Sequence, residues 1–162
     1  ETYGMDSFVG AHEGARATLV ALFNAGCGYC RRQAENLELM RLELGLAGLD
    51  AHFVAVNGSI YAAHQEGLAE RCSFPLLQDT DETNGITEMD GAIYDIYVYG
   101  PGGTLHVFLS GFGELDTNMS NEAGYANVRA AVVAASSGAQ YEAPFPPVDI
   151  IEEDAGIPDG GD

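Results

Sequence analysis

Thr18-Leu-Val-Ala-Leu-Phe-Asn-Ala-Gly-Cys27-Gly-Tyr-Cys30-Arg-Arg-Gln33 joins an apolar strand to an amphipathic helix through a Cys-x-x-Cys corner. Residues 18–23 are apolar and partly β-branched, as in a strand buried on both faces, and Asn24-Ala-Gly26 punctuates its end. From Arg31 the spacing turns helical. Leu37, Met40 and Leu44 form one stripe and Leu39, Leu42 and Leu46 a second beside it, which predicts a helix that buries a wide face. Cys27 then stands at the first turn, where unpaired N–H groups and the helix dipole favour a thiolate over a thiol.

Two cysteines three apart on a first turn can close a small disulfide without moving the backbone. Cys27 is read as the exposed attacking sulfur and Cys30, one turn deeper, as the resolving thiol that releases a mixed disulfide. Gly28 and Tyr29, between them, would meet the substrate. A zinc half-site needs a second Cys or His pair at short spacing, and the remaining cysteine is the lone Cys72. A static bridge in a secreted domain remains an alternative, in which case the chain is a non-enzymatic binding module.

At 162 residues with 46% hydrophobic content the chain can bury one proper core, and three cysteines are too few for a disulfide scaffold. No apolar run approaches the length of a membrane span. Against 25 acidic residues stand six basic ones, all arginine, for a formal net charge of -19. Such a surface repels phosphate backbones and anionic lipid, so nucleic acid and membrane insertion are excluded as modes of action. The acidity serves solubility.

Composition divides the chain into an irregular lead-in (1–15), a domain (16–138) and a tail (139–162) that holds four of the six prolines and seven acidic residues. Within the domain, residues 50–57 form a second buried strand, parallel to the first through a right-handed crossover. Ser59 is expected to cap a helix over about residues 60–71, on whose face His64 lies. Proline opens the next strand at Phe74-Pro75-Leu-Leu-Gln78, and a cis Phe74–Pro75 bond would turn this backbone towards the sulfurs as a substrate-binding wall. The acidic stretch Asp79–Gly85 departs from a calcium loop and reads as a capped turn. Residues 92–99 and 105–109 form a hairpin around Gly100-Pro-Gly-Gly103, and a final helix opens at Ser120 or Asn121 and ends at Gly138.

The order strand, Cys-x-x-Cys helix, strand, helix, X-Pro strand, hairpin, helix resembles the thioredoxin-like fold, an α/β arrangement with a central mixed sheet and helices on both faces. Within that group, Leu19–Phe23, Cys27-Gly-Tyr-Cys30, Phe53–Asn57, Phe74–Gln78 and the hairpin from Ile93 to Leu109 resemble the N-terminal domain of selenoprotein P, in a form like its bacterial members. This resemblance implies a secreted or periplasmic domain with its signal peptide removed, and no cofactor. Its first motif position, here Cys27, is selenocysteine in many members. It implies redox chemistry on a thiol, disulfide or peroxide substrate, with recycling by a thioredoxin or glutathione system. The chain departs from vertebrate members in lacking a His-rich basic region and a selenocysteine-rich tail, and from thioredoxin in having Gly28-Tyr29 where Gly-Pro stands.

Overall fold

The structure is a computed structural model that describes residues 16–147. Five strands form one mixed sheet in the order β3-β2-β1-β4-β5, with β1 Thr18–Phe23, β2 His52–Asn57, β3 Leu76–Gln78, β4 Ile96–Tyr99 and β5 Leu105–Leu109. As the crossover reading requires, β1 and β2 run parallel, with Leu19 opposite Phe53 and Phe23 opposite Asn57. β3 continues the parallel half, whereas β4 and β5 are antiparallel.

Every residue of β1 is buried because the sheet is covered on both sides. Leu19, Ala21 and Phe23 point to the larger core, which is closed by the helices α1 (Gly28–Leu46) and α4 (Glu122–Ser137). Val20 and Leu22 point the other way, against Val54, Val56 and Tyr97. Ile86 of the short helix α3 (Gly85–Glu88) and Met89 cover that side.

α1 differs from expectation in how much it buries. Leu37, Met40 and Leu44 are fully inside, but Leu39, Leu42 and Leu46 are 56%, 49% and 92% exposed. A helix laid on one sheet face meets it through a single arc, and polar pairs close both flanks of that arc here. On one flank Glu43 accepts from Arg129 Nε and Tyr125 OH at 2.8 Å each; on the other Glu38 accepts from Arg41 and from Ser73 Oγ at 2.7 Å. Nothing among the described residues lies outside the second stripe.

The expected helix over residues 60–71 is broken into a 3₁₀ turn, Ser59–His64, and one turn of α-helix, α2 (Glu66–Ala69). Gly58, not Ser59, occupies the cap position, without a side-chain cap. Fully buried Asn57 supplies the reason. Its Nδ2 donates to the Tyr61 carbonyl (3.0 Å) and to Gln78 Oε1 (2.7 Å), while its Oδ1 accepts from the Ala25 amide (2.9 Å). With the Tyr61 carbonyl engaged, Gln65 N–H bonds the nearer Ala62 carbonyl and the turn tightens.

Asp79 behaves as a capping residue, its carboxylate accepting from the amides of Thr80, Gly85 and Ile86. Asn121 caps α4 by accepting from Gly124 N–H, and Gly138 ends it in the left-handed conformation. The compositional tail begins too early, however. Residues 139–147 return to the domain: the Asn127 amide bonds Phe145 through both N–H (2.9 Å) and C=O (3.0 Å), and Tyr141 OH donates to the Asn127 carbonyl. Asn127 is wholly buried, so those partners complete the fold. The lead-in and the tail beyond residue 147 lie outside the described residues.

Candidate active site

The end of β1 delivers the chain to the cysteines through three residues. Ala25 is held by Asn57, Gly26 N–H donates to Asn24 Oδ1, and Cys27 N–H donates to the Asn24 carbonyl at 3.0 Å. Cys27 is the N-cap of α1, with extended backbone (φ -94°, ψ 126°), and its carbonyl takes the first helical bond from Arg31. Both thiols are free; Cys27 is half-buried and Cys30 fully buried.

The two sulfurs sit in opposite environments. The Cys30 backbone N–H approaches the Cys27 sulfur, too loosely to cap the helix but close enough to favour the anion. That contact lowers the Cys27 pKa against a smaller opposing effect of burial, with further help from a hydrogen bond to Tyr94. Burial, in contrast, pushes Cys30 up to about 12, although the Asn24 amide donates to its sulfur at 3.2 Å. A thiolate beside a protonated thiol, one turn apart, is the division of labour that attack and resolution require.

Sequence reading did not foresee Tyr94. Its hydroxyl lies 3.8 Å from Cys27 Sγ, and this hydrogen bond is the leading cause that raises the phenol to about 12. The ring meets Tyr29 edge-on (centroids 5.4 Å apart) and Phe112 in the same way (5.5 Å), so aromatic edges wall one side of the sulfur. Tyr94 has φ 84°, a conformation costly for a bulky residue, and its surroundings enforce it. Its amide donates to Leu22 C=O at 2.7 Å. Buried Asp95 accepts from Ala92 N–H (2.8 Å) on one oxygen and from Gly111 N–H (2.9 Å) on the other. Gly111 must be glycine, because a Cβ there would stand 2.3 Å from the Tyr94 Cβ. The expected strand over residues 92–99 therefore shrinks to Ile96–Tyr99. No spacing rule connects positions 67 residues apart, so only the fold could reveal this neighbour.

Around Gly28 a Cβ would meet nothing, which leaves open space in front of the motif, and Tyr29 is 38% exposed beside it. Among the described residues no group of three His, Cys, Asp or Glu side chains is placed to hold a metal ion.

No family model matches the sequence, and no curated protein matches it. Solved structures do. A candidate thiol:disulfide interchange protein DsbE from Chlorobium tepidum superposes with a TM-score of 0.58 at 16% identity, over 75% of this chain and 80% of its own. An uncharacterized conserved protein from Geobacillus kaustophilus gives 0.60 at 20% identity, over 79% and 71%. An uncharacterized thioredoxin-like protein from Porphyromonas gingivalis gives 0.58 at 12%, over 82% and 84%. The fold is thioredoxin-like. At such identities the likeness is one of fold alone.

Within this thioredoxin-like fold the expected role of Phe74 and Pro75 fails on position. No cis peptide bond occurs among the described residues, so Phe74–Pro75 is trans. Pro75 precedes β3, an edge strand, where a missing N–H costs no ladder bond, and its carbonyl accepts from Ala55 N–H at 3.1 Å. Phe74 is buried against Phe53, and both line a cleft with Asp50–Val54 at the N-terminal end of β2. Cys27 follows the C-terminal end of the parallel strand β1, at the other end of the sheet. The backbone that faces the sulfurs is instead that of residues 92–95. Cys72 stays apart from the pair, its thiol bonded to Leu68 C=O and pushed up to about 11 by burial.

Proposed function

We propose that this protein is a thiol–disulfide or peroxide oxidoreductase with Cys27 as nucleophile and Cys30 as resolving thiol. The observation that carries the reading is the asymmetry of the pair: an exposed sulfur with lowered pKa and a buried one raised to about 12, on one helical turn. The Cys27 thiolate attacks a substrate disulfide, forming a mixed disulfide and expelling one substrate thiolate. That thiolate takes up the Cys30 proton, Cys30 attacks Cys27 Sγ, and the second substrate thiol leaves. The protein ends as the Cys27–Cys30 disulfide, two electrons having passed to the substrate. With a peroxide the first product is a Cys27 sulfenic acid and an alcohol or water, and Cys30 condenses with it to the same disulfide, releasing water.

The Tyr94 phenol favours the attacking thiolate, and Gly28 and Tyr29 border the space where the substrate sulfur arrives. A thiol reductant of the thioredoxin or glutathione type would restore the dithiol. The motif order also supports kinship with the selenoprotein P N-terminal domain, a selenocysteine codon at position 27 and an extracytoplasmic location. Sequencing the native codon at position 27 tests that kinship.

The experiment for the function is titration of the Cys27–Cys30 couple against glutathione redox buffers with mass-spectrometric readout. An equilibrium that responds across those buffers supports catalysis. A disulfide that persists in excess reduced glutathione supports the alternative of a binding module with a structural bridge.

A further inference from the structure

Four of the six arginines are in ion pairs: Arg16 with Asp50, Arg41 with Glu38, Arg71 with Glu35 and Arg129 with Glu43. The two that have no ion pair among the described residues, Arg31 and Arg32, directly follow Cys30. In a chain of net charge -19, cations left without a carboxylate partner beside a nucleophile call for a reason. Arg31 lines an open cleft of about 360 Å³ with Ala25, Gly26, His64, Glu66 and Glu70. The cleft adjoins Cys27, since Ala25 and Gly26 lead into it.

Two glycines shape this cleft. A Cβ at Gly67 would stand 2.9 Å from Arg31 Cδ and 3.5 Å from its Nη1, so glycine in the middle of α2 lets the arginine lie flat against that turn. A Cβ at Gly26 would stand 3.4 Å from the His64 ring, which forms the opposite wall. Glu66 and Glu70, one turn apart on that side, face the same space without pairing with Arg31. A simple anion would meet two carboxylates and an acidic protein, and a simple cation would find acidic surface everywhere. A zwitterion finds a complement for each charge only where Arg31 and the two glutamates converge.

We propose that this cleft binds the zwitterionic amino-acid end of a low-molecular-weight disulfide or thiol, its carboxylate on Arg31 and its ammonium facing Glu66 and Glu70, presenting its sulfur to Cys27. The proposal rests on the redox reading of Cys27 and Cys30 and names its substrate class. With cystine as the probe, the dithiol becomes the Cys27–Cys30 disulfide and two molecules of cysteine are released, so atoms and electrons balance.

The test compares rates of oxidation of the reduced full chain by cystine (zwitterionic), cystamine (cationic) and dithiodipropionate (anionic), read by mass spectrometry after acid quench. Arg31→Gln should lower the cystine-to-cystamine rate ratio about 3- to 10-fold, as expected for loss of one partly screened charged hydrogen bond. Arg31→Lys should recover part of it, and Arg129→Gln, remote from the cleft, should leave the ratio unchanged. Glu66→Gln combined with Glu70→Gln should lower the cystine-to-dithiodipropionate ratio. If Arg31→Gln changes all three rates by one factor, the proposal is overturned. A second arm needs no chemistry: S-methylcysteine, a zwitterion with no disulfide, should shift the amide NMR signals of Gly26, Arg31 and Gly67, and absence of those shifts at saturating concentrations also overturns it. Failure of the wild type to react with any of the disulfides would refute the redox reading, with the NMR arm still deciding the cleft.

Discussion

Replacing Tyr94 by Phe removes one hydroxyl from the Cys27 sulfur and keeps the ring that meets Tyr29 and Phe112. A hydrogen bond to a charged group is worth about 1.5–3 kcal/mol when short, but 3.8 Å is long even for sulfur, and this contact ranks behind the Cys30 N–H among the causes that lower the Cys27 pKa. A loss of about 0.5–1 kcal/mol follows, which raises the Cys27 pKa by about 0.4–0.7 units. Cys27 is an acid whose anion is favoured in the folded protein, so its reactive form persists to lower pH than that of a free thiol, and the substitution moves the reactivity profile towards higher pH. Fewer thiolates form below the inflection, yet each is more basic and more nucleophilic. The net result is a fall of about 2-fold in alkylation by iodoacetamide on the acidic limb, and a limiting alkaline rate about 1.5- to 2-fold higher. Stopped-flow alkylation across the pH range with mass mapping of Cys27 provides both limbs. An inflection that stays in place, or moves to lower pH, refutes the role assigned to the phenol.

Alkylation of the reduced wild type at neutral pH should label Cys27 first, with Cys30 and Cys72 protected by burial and by pKa values near 12 and 11; early labelling of Cys30 would invert the roles. Glu38, held down to about 2 chiefly by its hydrogen bond to Arg41, should stabilise the fold fully above about pH 4.5 and lose that contribution as pH falls towards 2. Because the pair is at the surface and screened, the difference between wild type and Glu38→Gln should be about 1 kcal/mol at pH 7 and vanish near pH 2 in urea unfolding. Truncation after Gly138 removes both Phe145 partners of the buried Asn127 amide and should cost about 1–3 kcal/mol, read as a lower Tm; an unchanged Tm would show that this docking contributes nothing.

Local chemistry was legible in the chain because it is written over short distances. The apolar run of Thr18–Phe23, the corner at Cys27 and Cys30, the Asn121 cap and the Gly138 terminus each depend on neighbours within a turn or two, where periodicity and capping rules apply. The parallel pairing of β1 with β2 followed from the crossover between them. How much of α1 is covered was not written there. The same leucine spacing serves Leu37, which is buried, and Leu39, which faces solvent, and only the sheet's position distinguishes them.

The position of Pro75 was decided by tertiary structure too, since a proline opening a strand looks the same whether the strand ends beside the sulfurs or, as here, starts at the far end of β2. The residue that does face Cys27 is brought there by a sheet pairing, β1 against β4, and by the Asp95 and Gly111 contacts that impose a positive φ on Tyr94. The sequence alone determined the nucleophile, its partner and the strand and helix that carry them, because these lie within one contiguous segment. Only the tertiary structure decided which phenol, cleft and loop surround the sulfurs, because those contacts join residues dozens of positions apart, and no local periodicity records such distances.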